Sequence, residues 1–164
     1  MRIHFTLGLL AFFSCLAAIS SGQTVSVSYG ETRREFTTAE LEKLTQVEFE
    51  SLDHGQPHRY RGIPARDVLS LVGAPLGEKL RGPAIALAVR VRASDGYVAA
   101  FGLAEFDSAF REQTIYLVNQ QDGAPLKEQA GPWRLVCVGD KKGARSVRQV
   151  TSIEVVSLIP VPQP

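Results

Sequence analysis

Residues 139–150 have the sequence Gly139-Asp140-Lys141-Lys142-Gly143-Ala144-Arg145-Ser146-Val147-Arg148-Gln149-Val150 and lie between two apolar runs, 135–138 and 153–156. Four Lys and Arg side chains fall in this short segment of a chain whose formal net charge is only +1. Its two glycines permit tight turns that expose backbone N–H groups, and its cations can donate to an anion. The segment therefore predicts an anion-binding loop, with a solvated basic loop between two strands as the plainer alternative.

Part of this segment, Gly143-Ala144-Arg145-Ser146-Val147-Arg148, resembles the end of the molybdopterin-binding domain of the sulfite oxidase family. Members of that family wrap the phosphate of their pterin with a Gly-Ala-Arg-x-Val-Lys segment. Further matches stand upstream in the family's order, so the resemblance covers about residues 45–157. They are Tyr60-Arg61-Gly62-Ile63-Pro64, Asp67-Val68-Leu69, Gly73-Ala74-Pro75, Asp95-Gly96-Tyr97, Asp122-Gly123-Ala124-Pro125-Leu126, Gly131-Pro132 and Arg134-Leu135-Val136.

The resemblance implies a binding role for the basic segment. The backbone N–H groups of Ser146 and Val147 and the side chain of Arg148 would hold the phosphate of a molybdopterin or of another phosphate-bearing small molecule. Arg148 stands where the family has lysine, and a guanidinium also binds phosphate well. The predicted binding residues are Lys141, Lys142, Gly143, Arg145, Ser146, Val147 and Arg148, with His54 from a second cluster.

The chain departs from the family at the metal ligand. Family enzymes carry a cysteine, upstream of the Tyr60-Arg61-Gly62-Ile63-Pro64 match, whose thiolate binds molybdenum. Residues 47–55 occupy that place here and contain no cysteine. Neither Ser51 nor Asp53 reproduces a soft thiolate ligand. We therefore expect no molybdenum–thiolate centre, and the sequence assigns neither catalytic residues nor metal ligands.

The second polar cluster, 53–58, contains His54 and His58, the only histidines beyond the N-terminal 22 residues. Their i, i+4 spacing suits a metal site on a helix, but Gly55 and Pro57 disfavour a helix there. The sequence favours a polar loop at the mouth of a pocket. By the resemblance, His54 adjoins the position of the family's metal-binding cysteine.

The N-terminus has the pattern of a signal peptide. An apolar stretch, 5–19, is followed by Ser20-Ser21-Gly22, small residues that suit cleavage before Gln23. The stretch is too short for a convincing membrane span, so we expect residues 1–22 to be removed and the mature chain not to insert into a membrane. A lipoprotein would need Cys15 as the modified residue, and its flanking sequence is a poor lipobox. The predicted location is the periplasm or the exterior.

Charge and cysteine content exclude some functions. The chain has 18 Lys and Arg against 17 Asp and Glu, which does not indicate a nucleic-acid partner. Beyond residue 22 only Cys137 remains, so no internal disulfide can form in the mature chain. Cys137 lies in an apolar run and is expected to be a small buried core residue. Tyr97 and Trp133 are likewise interpreted as packing residues.

The remaining patterns predict one α+β domain over 23–158, with a mainly antiparallel or mixed sheet and short helices. A capping box, Thr37 with Glu40, begins a short helix, and Pro64 begins another over 63–72. A hairpin is predicted around 94–96. Other strands are predicted at 24–29, 47–51, 114–118, 133–138 and 153–158, and the Pro-rich tail, 159–164, is expected to be disordered.

Two functions of different classes follow. The first is an exported, stand-alone domain of this type that binds a pterin or another phosphate-bearing ligand through Gly143–Arg148. The alternative is a degenerate, non-catalytic module that keeps the fold and acts through a protein partner or as a structural element.

Overall fold

The structure, a computed structural model, describes residues 23–159. The predicted signal peptide and the predicted tail from residue 160 onward lie outside the described residues. Two short α-helices are present, α1 (Thr38–Leu41) and α2 (Ala65–Ser70). The strands are β1 (Thr24–Tyr29), β2 (Thr32–Thr37), β3 (Val47–Asp53), β4 (Gln56–Pro64), β5 (Leu87–Ala93), β6 (Val98–Gly102), β7 (Ile115–Gln121), β8 (Ala124–Pro125), β9 (Arg134–Cys137) and β10 (Val150–Ser157).

Two sheets are built from these strands. The first has the order β2-β1-β10-β5-β6, and β1 runs parallel to β10 while the other neighbours are antiparallel. The second has the order β3-β4-β7-β8, and β9 also pairs with β7; all of its pairings are antiparallel. The predicted α+β domain with a mainly antiparallel or mixed sheet is confirmed.

The main core joins the two sheets. Apolar side chains of the first sheet, such as Val27 and Ile153, belong to the same buried cluster as Ile63 and Leu117 of the second. Successive side chains of a strand point to opposite faces of its sheet, and the faces that the two sheets turn toward each other supply this packing. Trp133 is fully buried in the core, as a packing residue should be.

Local signals locate most turns and helix starts. Thr37 and Glu40 form both hydrogen bonds of the expected capping box at the start of α1. The predicted turn around Gly96, with φ of 87°, joins β5 to β6. The second predicted helix is shorter than expected, since Pro64 still belongs to β4 and α2 begins at Ala65.

The polar loop predicted over 53–58 is instead a tight hairpin. His54 and Gly55 both have positive φ, 50° and 80°, and they connect Asp53 to its cross-strand partner Gln56. Two successive residues with positive φ match the twist of a hairpin and allow a two-residue loop. The hairpin brings the end of β3 and the start of β4 beside the basic segment.

None of the helices within residues 23–159 is both long and apolar enough to cross a membrane.

Candidate anion-binding cleft

The basic segment borders a cleft with two adjoining lobes. The inner lobe, about 400 Å³, is lined by backbone and side chains of the segment together with the β3–β4 hairpin and the β5–β6 hairpin. The outer lobe, about 580 Å³, extends along β4, β7 and β8. Both lobes are lined by Asp53, Gln129, Arg134 and Arg148, so these residues mark where the lobes meet.

Hydrogen bonds from β9 and from the β5–β6 hairpin hold the segment in place, together with one bond inside it. Ser146 Oγ accepts a hydrogen bond from the Cys137 N–H at 3.3 Å, and the Ser146 N–H itself donates to Gly143 O at 2.9 Å. The Tyr97 hydroxyl donates to Ala144 O at 2.7 Å from the β5–β6 hairpin. These bonds give the segment a defined shape before any ligand binds.

Two hydrogen-bond donors of the segment have no acceptor among the described residues. The Val147 N–H makes no hydrogen bond to any residue within 23–159, although Val147 is buried. The Arg148 guanidinium also makes no hydrogen bond or ion pair within that range, and Arg148 lines both lobes. A buried N–H ordinarily has a partner, so an acceptor from solvent or a ligand is expected here.

Arg134 lies at the base of the cleft and is 4% exposed. Its Nη1 donates to Asp53 Oδ2 at 2.9 Å and lies 3.5 Å from the Tyr60 hydroxyl. Its Nε is buried and has no partner within the described part of the chain. The hydrogen bond from Arg134 holds the pKa of Asp53 below its ordinary value, so this carboxylate is ionised at neutral pH.

Arg145 points to a different set of partners. Its guanidinium binds both carboxylate oxygens of Asp140, at 2.9 and 2.8 Å, and Glu105 Oε2 at 2.7 Å. It also lies over the Phe101 ring, 5.1 Å from the ring centroid. These partners raise the pKa of Arg145 and lower that of Asp140. The side chain of Arg145 therefore braces the segment and does not line either lobe.

The structure thus gathers only part of the predicted site. Gly143, Ser146, Val147, Arg148 and His54 line the inner lobe. Lys141 and Lys142 are exposed and, like Arg145, line neither lobe.

Three cleft residues were missed by the sequence reasoning. Arg134 belonged only to a family motif, and Asp53 was the first residue of the cluster 53–58 and a poor substitute for cysteine, with no binding role predicted for either residue. Tyr97 was interpreted as a packing residue but is 48% exposed and holds the segment. Arg134 and Tyr97 both lie in motifs that follow the order of the family, and this order could have indicated their place in the cleft.

Cys137 lies behind the segment and away from the cleft. Burial raises the pKa of its thiol to about 12, and Sγ contacts Arg145 O at 3.5 Å. Residues 23–159 contain no group of three or more His, Cys, Asp or Glu side chains that could hold a metal ion.

The family model of the oxidoreductase molybdopterin-binding domain matches residues 29–158. The chain belongs to this family. Its fold is similar to that of the sulfane dehydrogenase SoxCD from Paracoccus pantotrophus, with a TM-score of 0.61 and 15% sequence identity. The similarity covers 82% of this chain and 39% of that chain, and at this identity it shows the fold alone. No curated protein matches the sequence significantly. The resemblance to the sulfite oxidase fold is confirmed.

The inner lobe presents hydrogen-bond donors of the kind that a phosphate group requires. The unpartnered Arg148 guanidinium, the Val147 N–H and the buried Arg134 suit a phosphate, since all are donors and two are charged. The donor set does not fit the metal, because the thiolate that this family uses has no counterpart in the cleft and Cys137 is buried elsewhere. No reaction step through molybdenum is therefore derived for this chain.

Proposed function

We propose that this member of the oxidoreductase molybdopterin-binding domain family is exported and binds a phosphate-bearing ligand, such as a pterin phosphate, in the inner lobe. One observation carries the proposal: Arg148 and the Val147 N–H, both without partners within 23–159, lie together in one cleft. Phosphate oxygens would complete the hydrogen bonds of both groups.

Each lining residue has a proposed task. The Arg148 guanidinium binds two phosphate oxygens, and the Val147 N–H binds a third. Ser146 keeps the segment on β9, and His54 closes the rim of the lobe from the β3–β4 hairpin. Lys141 and Lys142, exposed beside the lobe, raise the local positive potential and attract anions from solution.

A second candidate function is a non-catalytic binding module that acts through a protein partner. The burial of Cys137 argues against redox catalysis at a metal bound by this thiol, since a thiol with a pKa raised to about 12 is a poor metal ligand. Both candidates keep the cleft, and they differ in whether a small phosphate compound is the bound molecule.

Titration with inorganic phosphate tests the first candidate. Replacing Arg148 by alanine should weaken phosphate binding by about 10- to 150-fold, because charge-assisted hydrogen bonds contribute about 1.5–3 kcal/mol each. Arg33→Ala is the matched control, since Arg33 lies on the exposed edge strand β2 and, among residues 23–159, pairs only with Glu35. Equal phosphate affinity in wild type and Arg148→Ala would favour the second candidate.

Export is tested separately by mass spectrometry of the protein from the periplasm or the medium. A signal peptide is typically 15–30 residues long, so the mature chain should begin near Gln23. An intact N-terminus, or a diacylglyceryl group on Cys15, would contradict this part of the proposal.

A further inference from the structure

The outer lobe contains a histidine that the phosphate-binding proposal does not use. His58 comes from β4, 29% of its side chain is exposed, and it lines this lobe. Its Nδ1 lies 2.7 Å from Asp122 Oδ2, and Asp122 is held in turn by the Arg59 N–H at 3.0 Å. The hydrogen bond from His58 lowers the pKa of Asp122, so the carboxylate is ionised.

The contact with Asp122 determines which nitrogen of the His58 imidazole can bind a ligand. Gln121 Nε2 also lies 3.0 Å from His58 Nδ1, but the contact with the carboxylate is shorter and charge-assisted. Nδ1 therefore carries the proton that Asp122 accepts. Nε2 has no partner among residues 23–159, and in the protonated ring it is a second donor.

The charges of the outer lobe favour an anion. Its two carboxylates are already satisfied, Asp53 by Arg134 and Asp122 by His58. Lys127 and Arg148 also line the lobe, and neither makes an ion pair with a described residue. These two cations are thus left without an ion-paired carboxylate among the described residues, while the imidazole of His58 keeps Asp122 as its partner.

Part of the lining of the outer lobe is apolar. Ala124 and Pro125 of β8 and the following Leu126 form it. Leu126 packs on the small buried cluster of Tyr60, Val118 and Val136, so this part of the lining is anchored to the second sheet. Burial of an apolar ligand surface against it would add affinity that a bare inorganic ion cannot gain.

From this arrangement we propose that the outer lobe is a second binding site, for a small organic carboxylate with an apolar body. Its carboxylate binds His58 Nε2 and Lys127, and its apolar part packs on Pro125 and Leu126. Arg134 lies buried at the junction of the lobes, where its charge is balanced by Asp53. Its proposed carboxylate donors, His58 and Lys127, do not line the inner lobe, although the two lobes share Arg134 and Arg148.

Calorimetric titration at about pH 5.5 with three probes tests the site. Benzoate has both the carboxylate and the apolar body that the proposal requires. Acetate lacks the apolar body, and benzyl alcohol lacks the charge. Benzoate should bind saturably and about 10-fold or more tighter than either of the other two. Equal binding of all three probes, or no saturable binding of benzoate, would overturn the proposal.

Variants then locate the bound benzoate. His58→Gln and Lys127→Ala should each weaken it by about 5- to 10-fold, because each removes one donor to the carboxylate. Lys43→Ala, which removes an exposed lysine that lines neither lobe, should leave it unchanged. The NMR chemical shifts of the His58 ring in the wild-type protein should change during the benzoate titration. Unchanged shifts would overturn the proposal, and this measurement does not depend on the stability of any variant.

Phosphate titration of the same variants separates the two proposals. His58→Gln should retain the wild-type affinity for phosphate, since His58 does not line the inner lobe. Suppose that Arg148→Ala loses phosphate binding while His58→Gln binds benzoate as the wild type does. The phosphate site in the inner lobe would then be supported, and the carboxylate site in the outer lobe would be contradicted.

Discussion

Arg134 Nη1 donates to Asp53 Oδ2 at 2.9 Å and so joins β9 to the end of β3 across 81 positions of sequence. Arg134 is almost fully buried, and Asp53 is the last residue before the turn at His54 and Gly55. This one ion pair joins the β3–β4 hairpin to β9, and both of its residues line both lobes of the cleft.

Removal of Arg134 should destabilise the fold. Arg134→Met keeps much of the side-chain volume but leaves Asp53 mostly buried without its partner, which costs about 3 kcal/mol in comparable buried pairs. Urea unfolding at neutral pH measures the loss. The double variant Arg134→Met with Asp53→Asn should recover part of it, and a loss of less than 0.5 kcal/mol in the single variant would contradict the assigned pairing.

Acid should weaken the same pair. The pKa of Asp53 is held below its ordinary value of 3.8 by Arg134, and the pKa of Asp140 is held below the same value by Arg145. A lowered carboxyl pKa contributes stability that is complete above about pH 5 and lost as the pH falls through 3.8 and below. The free energy of unfolding should therefore decline below about pH 4, and less steeply in Asp53→Asn.

Two arginines of the basic segment should behave differently when replaced. Arg145→Ala removes three hydrogen bonds to Asp140 and Glu105, so it should lower stability by about 1–2 kcal/mol after allowance for the partial exposure of the side chain. Arg148→Ala should change the melting temperature little, because no partner within 23–159 is lost. Thermal unfolding of both variants compares their melting temperatures. A larger decrease in Arg148→Ala than in Arg145→Ala would contradict the structural role given to Arg145.

Cys137 should be inert toward thiol reagents in the native protein. Its thiol is buried and its pKa is raised to about 12, so almost no thiolate is present at pH 8. Reaction with a chromogenic disulfide should become fast only in denaturant. Stoichiometric molybdenum in protein from a molybdenum-replete host, with a thiolate absorption band lost in Cys137→Ala, would contradict both this expectation and the predicted absence of a molybdenum–thiolate centre.

Local patterns predicted the elements that depend on neighbouring residues. The capping box at Thr37 and the turn at Gly96 depend on only a few adjacent residues, and both were predicted correctly. Strand β2 was not predicted, because only Phe36 of its six residues is buried and its other side chains are polar or charged. Strand β4 was taken for a loop at its start, because Pro57 interrupts the pattern of a strand.

By itself the sequence determined the α+β class, the family and the loop that borders the cleft, since these depend on short motifs in a set order. Only the tertiary structure decided what each charged side chain of the loop does. Arg145 and Arg148 are three residues apart and carry the same charge, yet Arg145 meets Glu105 across 40 positions of sequence while Arg148 faces the cleft. Such pairings depend on which distant strands pack together, and that information is absent from any local pattern.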